Sequence, residues 1–431
     1  MTTTKYNEHK KLNFSSEREQ SQACLNSAEH EKNQGRKVLN VPNLRFPEFQ
    51  GEWKEERLAD IADLYKGTGI SKDQLSDDGE PCILYGELYT KYKSETIREV
   101  ISKTNIDNTK LVRSKANDVI IPCSGETAED IATARCVLNG NILLGGDLNI
   151  IRLHGYDGSF MSYQLNGKRK YDIAKVAQGV SVVHLYGDHL KGVKTYNPCL
   201  EEQKKIAKLL SLIDERISTQ NKIIDKLQSL IKGINQEVFN EVGCSHKLGS
   251  ICEIKSGYSG NQLIKKEGLK VSRIETISGH QINLERVGYV SPFKNSESYK
   301  LQVGDILFSN INSVEYIGNT AFVDKDYDLY HGMNLLRLIP NSKIVVPFYL
   351  YLLLNTRKML NRFKTICNKA VSQASINQTD LGKTIIVLPS LENQIKICNI
   401  YEVLFSKIEA EKKCLSLYNV QKQYLLRQMF I

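Results

Sequence analysis

Two stretches of this chain space their apolar residues in a 4-3 rhythm. In the first, apolar side chains fall at Ile206, Leu210, Ile213, Ile217, Ile224, Leu227, Ile231, Ile234 and Val238, with Gln220 as the polar exception. In the second they fall at Ile397, Tyr401, Leu404, Ile408, Leu415, Tyr418, Leu425 and Met429, with Glu411 and Lys422 as exceptions. A 3.5-residue repeat keeps one stripe of a helix turned toward a partner helix. The spacing therefore predicts two long helices that pair as an antiparallel coiled coil. Pro198 and Pro389 precede them, and Glu201, Glu202 and Glu392 lie in their first turns, where carboxylates suit the positive end of the helix dipole. The plainer alternative packs each helix on its own domain; two such helices of equal length in one chain favour mutual pairing. A helix from about residue 201 to 239 is roughly 58 Å long at ~1.5 Å per residue. Such a rod can act as a spacer.

Elsewhere the pattern changes to short apolar runs bounded by turn residues, which predict strands. Val119-Ile120-Ile121-Pro122, Asn141-Ile142-Leu143-Leu144 and Leu148 to Leu153 are the clearest in the first half. Asp305 to Phe308, Thr320 to Val323 and Asn334 to Leu338 follow in the second. The fold class expected is α+β: two similar domains and two long helices. Residues 1–40 are polar with only isolated apolar positions and predict a disordered extension.

The two halves also echo each other. Val180-Ser181, Leu190, Pro198, Leu200-Glu201, Gln203, Lys205-Ile206, Ile217 and Phe239 return 191 positions later as Val371-Ser372, Leu381, Pro389, Leu391-Glu392, Gln394, Lys396-Ile397, Ile408 and Phe430. Upstream the offset drifts. Leu58, Ile61 and Gly67 match Leu248, Ile251 and Gly257 at 190, Asp118 matches Asp305 at 187, and Asn149 and Arg152 match Asn334 and Arg337 at 185. The period is far too long for a solenoid. It marks a duplicated domain-plus-helix unit whose loops differ in length. The boundaries read as 1–40 extension, 41–197 first domain, 198–241 central helix, 242–388 second domain and 389–431 C-terminal helix.

Composition narrows the class only a little. The net charge of +9 permits a polyanionic partner without requiring one. No apolar run reaches the length of a membrane span, and the N-terminus lacks the apolar core of a signal peptide. Ten cysteines without a C-x-x-C pair read as reduced thiols of a cytoplasmic protein. Enzyme motifs are missing: there is no phosphate loop, no H-E-x-x-H, and Gly67-Thr68-Gly69 lacks the third glycine of a dinucleotide fingerprint. His184 and His189 have no evident third ligand, which argues against a metal site. The domains do carry basic and tyrosine-rich segments. Tyr85, Tyr89, Lys91, Tyr92 and Lys93 cluster in the first, followed by Lys168-Arg169-Lys170-Tyr171; Lys255, Tyr258, Lys265, Lys266 and Arg273 lie in the second. Lysine and arginine suit phosphate oxygens, while Arg, Asn and Gln read base edges. For any single residue a solvated loop is the plainer reading.

Two variable domains, each followed by a long helix opening P-x-L-x-x-Q-x-x-I, resemble the specificity subunit of type I restriction–modification enzymes. The matching segments are Pro198-Cys199-Leu200-Glu201-Glu202-Gln203-Lys204-Lys205-Ile206 and Pro389-Ser390-Leu391-Glu392-Asn393-Gln394-Ile395-Lys396-Ile397. Pro42 to Trp53, Asp118 to Ile131, Gln178 to Leu185 and Gly304 to Ser309 are similar too. The resemblance implies that each domain reads one half of a bipartite, asymmetric target in double-stranded DNA. It implies that the helices set the gap and dock two methyltransferase subunits, and that restriction subunits join them. S-adenosylmethionine, ATP and magnesium then belong to the partners, and this chain is non-catalytic, with no cofactor, no metal and no membrane of its own. The expected DNA-contacting residues are Tyr89, Lys91, Tyr92, Lys93, Ser124, Glu126, Thr127, Gln178, Ser181 and His184 in the first domain. In the second they are Lys255, Tyr258, Asn310, Asn312, Ser313, Asn368, Lys369 and Gln373. Helix pairing is expected through Ile206, Leu210, Ile213, Ile217, Leu227, Ile397, Tyr401, Leu404, Ile408 and Leu415.

Overall fold

The computed structural model describes residues 39–107, 110–179, 182–239, 243–369 and 373–431. Most of the polar N-terminal stretch, Ser181 and the Val180-Ser181 and Val371-Ser372 pairs lie outside them. The chain forms two compact units: residues up to Arg216 together with Tyr418–Ile431, and Ile217–Leu417.

The first unit is organised by a five-stranded sheet in the order Ala62–Lys66, Leu148–Leu153, Asp118–Pro122, Arg135–Val137, Thr96–Ile97. Its neighbours are antiparallel except the last pair. Val119, Ile121 and Ile151 enter one core while Ile120 and Ile150 enter another. Both faces of these strands are therefore covered, which is why they read as continuous apolar runs instead of alternating ones. The second unit repeats the order with Cys252–Ser256, Leu336–Pro340, Ile306–Phe308 and Thr320–Phe322, all antiparallel. The expected runs at Asn141 and Asn334 start late, at Leu143 and Leu336, because both asparagines adopt left-handed φ of 66° and 63°. A left-handed residue turns the chain and cannot sit in a ladder.

Matching residues of the two copies make matching contacts. Asp118 accepts from Lys115 N at 2.7 Å and pairs with Arg152 at 2.7 Å; Asp305 accepts from Gln302 N at 2.6 Å and pairs with Arg337 at 2.6 Å. Leu58 N donates to Val193 O, and Leu248 N to Thr384 O. Gly67 lies against Gly145 O and Gly257 against Gly332 O, each too close for a Cβ. Here the echo preserves a backbone approach that only glycine permits.

Two helices dominate the rest, Leu200–Val238 and Leu391–Gln428. They pack antiparallel. In the first unit Asp214 meets Lys422, and in the second Gln220 meets Glu411 while Asn235 meets Tyr401. Ile206, Leu210, Ile213, Ile397, Tyr401 and Ile408 are buried; Ile217, Leu227, Leu404 and Leu415 are half-buried.

The repeated glutamine of the helix start has a defined job. Gln203 donates to Pro198 O at 2.8 Å and accepts from Asp157 N at 2.9 Å. Gln394 donates to Pro389 O at 2.9 Å and accepts from Val346 N at 2.8 Å. Asp157 and Val346 are the N-caps of Gly158–Asn166 and Pro347–Leu354. Each glutamine thus ties the first turn of a long helix to the helix of its own domain. The phenylalanines that close the echo behave alike. Phe430 packs against Phe160 and Trp53 in the first unit, and Phe239 against Tyr349 and Tyr401 in the second.

Candidate nucleic-acid interface

Beyond the end of the central sheet strand, each unit builds a small ribbon from segments far apart in sequence. In the first unit Ser124–Gly125 pairs antiparallel with Val183–His184, so that Ser124 faces His184. His184 in turn exchanges both backbone hydrogen bonds with Gln178, at 2.7 and 2.9 Å. In the second unit Ile311–Asn312 pairs with Ala374–Ser375, which pairs with Asn368–Lys369. Its edges are exposed and polar: Gln178, His184 and Glu126 in the first unit, Asn368, Lys369 and Gln373 in the second.

The ribbons differ in chemistry. In the first, Tyr186 is 54% exposed and stacks along His184 with its ring 6.2 Å away, and His189 meets the same ring edge-on at 5.5 Å. The two imidazoles flank an aromatic ring. Val182 is exposed beside them. In the second, Asn312 donates to Ser309 Oγ at 3.1 Å and accepts from the exposed Ser313 N at 2.8 Å, which fixes its amide. Asn310 donates to Ile376 O at 3.3 Å while its buried Oδ1 has no partner among the described residues. A buried acceptor without a donor is costly unless a ligand satisfies it.

The remaining expected residues divide by what they touch. Tyr89 donates to Ser124 O at 3.0 Å and so braces the first ribbon; burial pushes its hydroxyl well above the usual range. Lys93 Nζ donates to Tyr89 O at 2.6 Å. Lys91 is held by Glu87 and Ser102, both at 2.6 Å. Tyr92 is turned inward: it is 7% exposed, packs among Ile83, Leu88 and Ile97, and accepts from Ile101 N. Its ring fills the core, and burial pushes its hydroxyl up to about 12. Thr127 caps the short helix Ala128–Ile131 through a bond from Asp130 N at 3.0 Å. Lys255 pairs with Glu253, and Tyr258 stacks on Phe293 with ring centroids 3.6 Å apart; neither belongs to the second ribbon's strands. Tyr186 is the exposed aromatic that pattern reading passed over; its signal was adjacency to His184 in a turn-rich segment.

A family model described as the type I restriction modification DNA specificity domain matches residues 50–229 and again 245–416. The chain belongs to this family. It is 41% identical over 180 residues to the MjaX specificity subunit of Methanocaldococcus jannaschii, a match that spans 41% of this chain and 42% of that one. The type I restriction enzyme MjaVIII specificity subunit of the same organism is 26% identical over 400 residues, covering 86% of this chain and 89% of its own length. The EcoKI specificity subunit of Escherichia coli is 20% identical over 390 residues, 84% of each chain. Among solved structures, the S subunit from M. genitalium superposes with a TM-score of 0.60 at 18% identity, covering 91% of this chain and 99% of that one. A chain from a type I R-M system solved to explain its assembly and conformational transition gives 0.54 at 18%, covering 88% and 97%. At that identity the likeness is one of fold.

Proposed function

We propose that this chain is the DNA specificity subunit of a type I restriction–modification complex. Each domain reads one half of a bipartite, asymmetric duplex target, and the two long helices set the gap and dock two methyltransferase subunits. Restriction subunits complete the assembly in the cytoplasm. The chain performs no chemistry of its own; S-adenosylmethionine, ATP and magnesium are held by the partners. The observation that carries this reading is the division within the duplication. The anchoring glutamines, the Asp–Arg pairs and the closing phenylalanines recur, whereas the ribbon edges do not: Gln178 and His184 stand in one, Asn368, Lys369 and Gln373 in the other.

Phosphate contacts from lysines position the chain on the duplex without reading sequence; asparagine and glutamine bond adenine bidentately and lysine bonds guanine. Of the expected residues, the exposed ribbon-edge side chains Gln178, His184, Asn368, Lys369 and Gln373, together with the half-buried Asn312, are the ones we assign to base contacts; Ser181 lies outside the described residues. Methylome sequencing of the host with and without the gene tests the reading. The expected result is loss of methylation at one two-part adenine motif. An unchanged methylome, with no salt-dependent duplex binding by the chain and its methyltransferase, would instead favour a scaffold that binds only proteins.

A further inference from the structure

A second polar site lies in the first unit and shares no lining residue with the ribbon. A cavity of about 330 Å³ opens where the turn after Gly158–Asn166 meets the last turns of the C-terminal helix. Lys168 lines it from the turn, Lys170 from the start of the helix Lys170–Val176 that follows, and Gln423, Leu426 and Arg427 from the C-terminal helix. Among the described residues Lys168, Lys170 and Arg427 have no ion-pair partner, although the neighbouring Arg169 and Lys422 do. The inner wall is Arg135, whose guanidinium is spent on the carbonyls of Tyr92, Leu88 and Ala134, and which burial holds below its ordinary value. Glu95, the one acid of the lining, is bound to Lys422. The cavity thus gathers three unneutralised cations over a fourth.

We propose that this cavity binds a phosphorylated small molecule of nucleotide size. Three cations call for more than one negative charge, and a phosphate carries nearly two with three strong acceptor oxygens. Volumes of about 300–1,000 Å³ are typical of small-ligand pockets. Leu426 offers an apolar face and the Gln423 amide a polar edge to the remainder of the ligand. A duplex backbone fits less well, because its phosphates lie along a convex rod while these cations converge on a hollow. Since the walls come from both the domain and the C-terminal helix, an occupant would clamp the end of that helix in place.

The test titrates the full chain with inorganic phosphate, pyrophosphate, AMP and ATP at constant ionic strength, by calorimetry and thermal unfolding. Saturable binding of one equivalent of at least one phosphate compound is expected, with a rise in Tm. Lys168→Glu and Arg427→Glu both replace exposed residues, and each should weaken that binding at least about tenfold. Lys222→Gln, at an exposed position of the central helix in the other unit, should leave it intact. Absence of saturable binding up to millimolar ligand would overturn the proposal, as would binding indifferent to both cavity variants. So would capture of duplex DNA alone through these same residues, which would make the cavity part of a nucleic-acid surface. Each outcome leaves the reading of the ribbons untouched.

Discussion

At the scale of single residues, two polar devices hold the long helices to the domains. The first is the repeated glutamine. Gln203 and Gln394 are each almost fully buried and satisfy two backbone groups at once. Replacing either with leucine leaves a part-buried backbone N–H without its acceptor and takes a donor from the proline carbonyl, at up to about 1–3 kcal/mol per group that water does not reach. Denaturant titration should give similar losses for Gln203→Leu and Gln394→Leu, since the two sites are built alike. The second device has no counterpart in the other copy. Lys422 binds both Glu95 and Asp214, with Tyr163 donating to Asp214 at 2.7 Å. Burial lifts Glu95 above the ordinary carboxylate range. Burial pulls Lys422 the other way, but Glu95 and Asp214 outweigh it and hold the ammonium above its ordinary value. Both shifts favour the protonated form in the folded chain, so each contribution is full below the ordinary pKa and is lost as pH rises through the folded one. Lys422→Met strands two buried carboxylates, at about 3–5 kcal/mol near neutrality. Acidification toward the raised Glu95 value protonates that carboxyl and relieves part of the cost. The Tm gap between wild type and Lys422→Met should therefore be smaller at pH 5 than at pH 7.5; a constant gap would assign the loss to packing alone.

Elements were legible in proportion to their length. The helices Leu200–Val238 and Leu391–Gln428 repeat their stripe many times, so their seam could be read directly. Their polar exceptions also proved meaningful. Gln220 and Glu411 bond to each other, and Lys422 enters the ionic network. The long sheet strands Asp118–Pro122 and Leu148–Leu153 were readable as apolar runs. The ribbons were not, because their strands are two residues long and are paired by chain segments about sixty residues apart, as in Ser124 with His184. No periodicity exists over two residues. Tyr92 shows the opposite failure: a tyrosine between lysines reads as surface, and only the tertiary fold turns it inward. If the helices set the gap between half-sites, inserting one heptad into each should lengthen them by about 10 Å, or roughly three base pairs of duplex. Methylome sequencing of that variant should show both half-sites unchanged and the gap widened. An unchanged gap would leave the helices as docking elements only.

For the whole molecule, the pattern of offsets separates geometry from reading. From Leu190 onward the echo holds at 191 without a gap, through the glutamine anchors to Phe239 and Phe430. Within the domains it drifts from 190 to 185, because the insertions fall between strands that match in the two copies. The first unit adds a four-stranded sheet around Glu80–Ile83, and the second instead a two-stranded one, Leu269–Val271 with Gly288–Val290. Selection for one shared target would have kept the ribbon edges alike. Selection for a shared frame and two different targets would keep only what fixes the helices, and that is the distribution observed. The reading is therefore modular, and it can be tested on the intact chain. Residues 41–197 can be replaced by the corresponding domain of another family member, keeping Pro198 and Gln203 so that the anchor to the new domain's helix can re-form. The methylated motif should then change in one half and keep the other, with the gap preserved. Change in both halves would mean that the domains read cooperatively, and the two-part address would have to be abandoned.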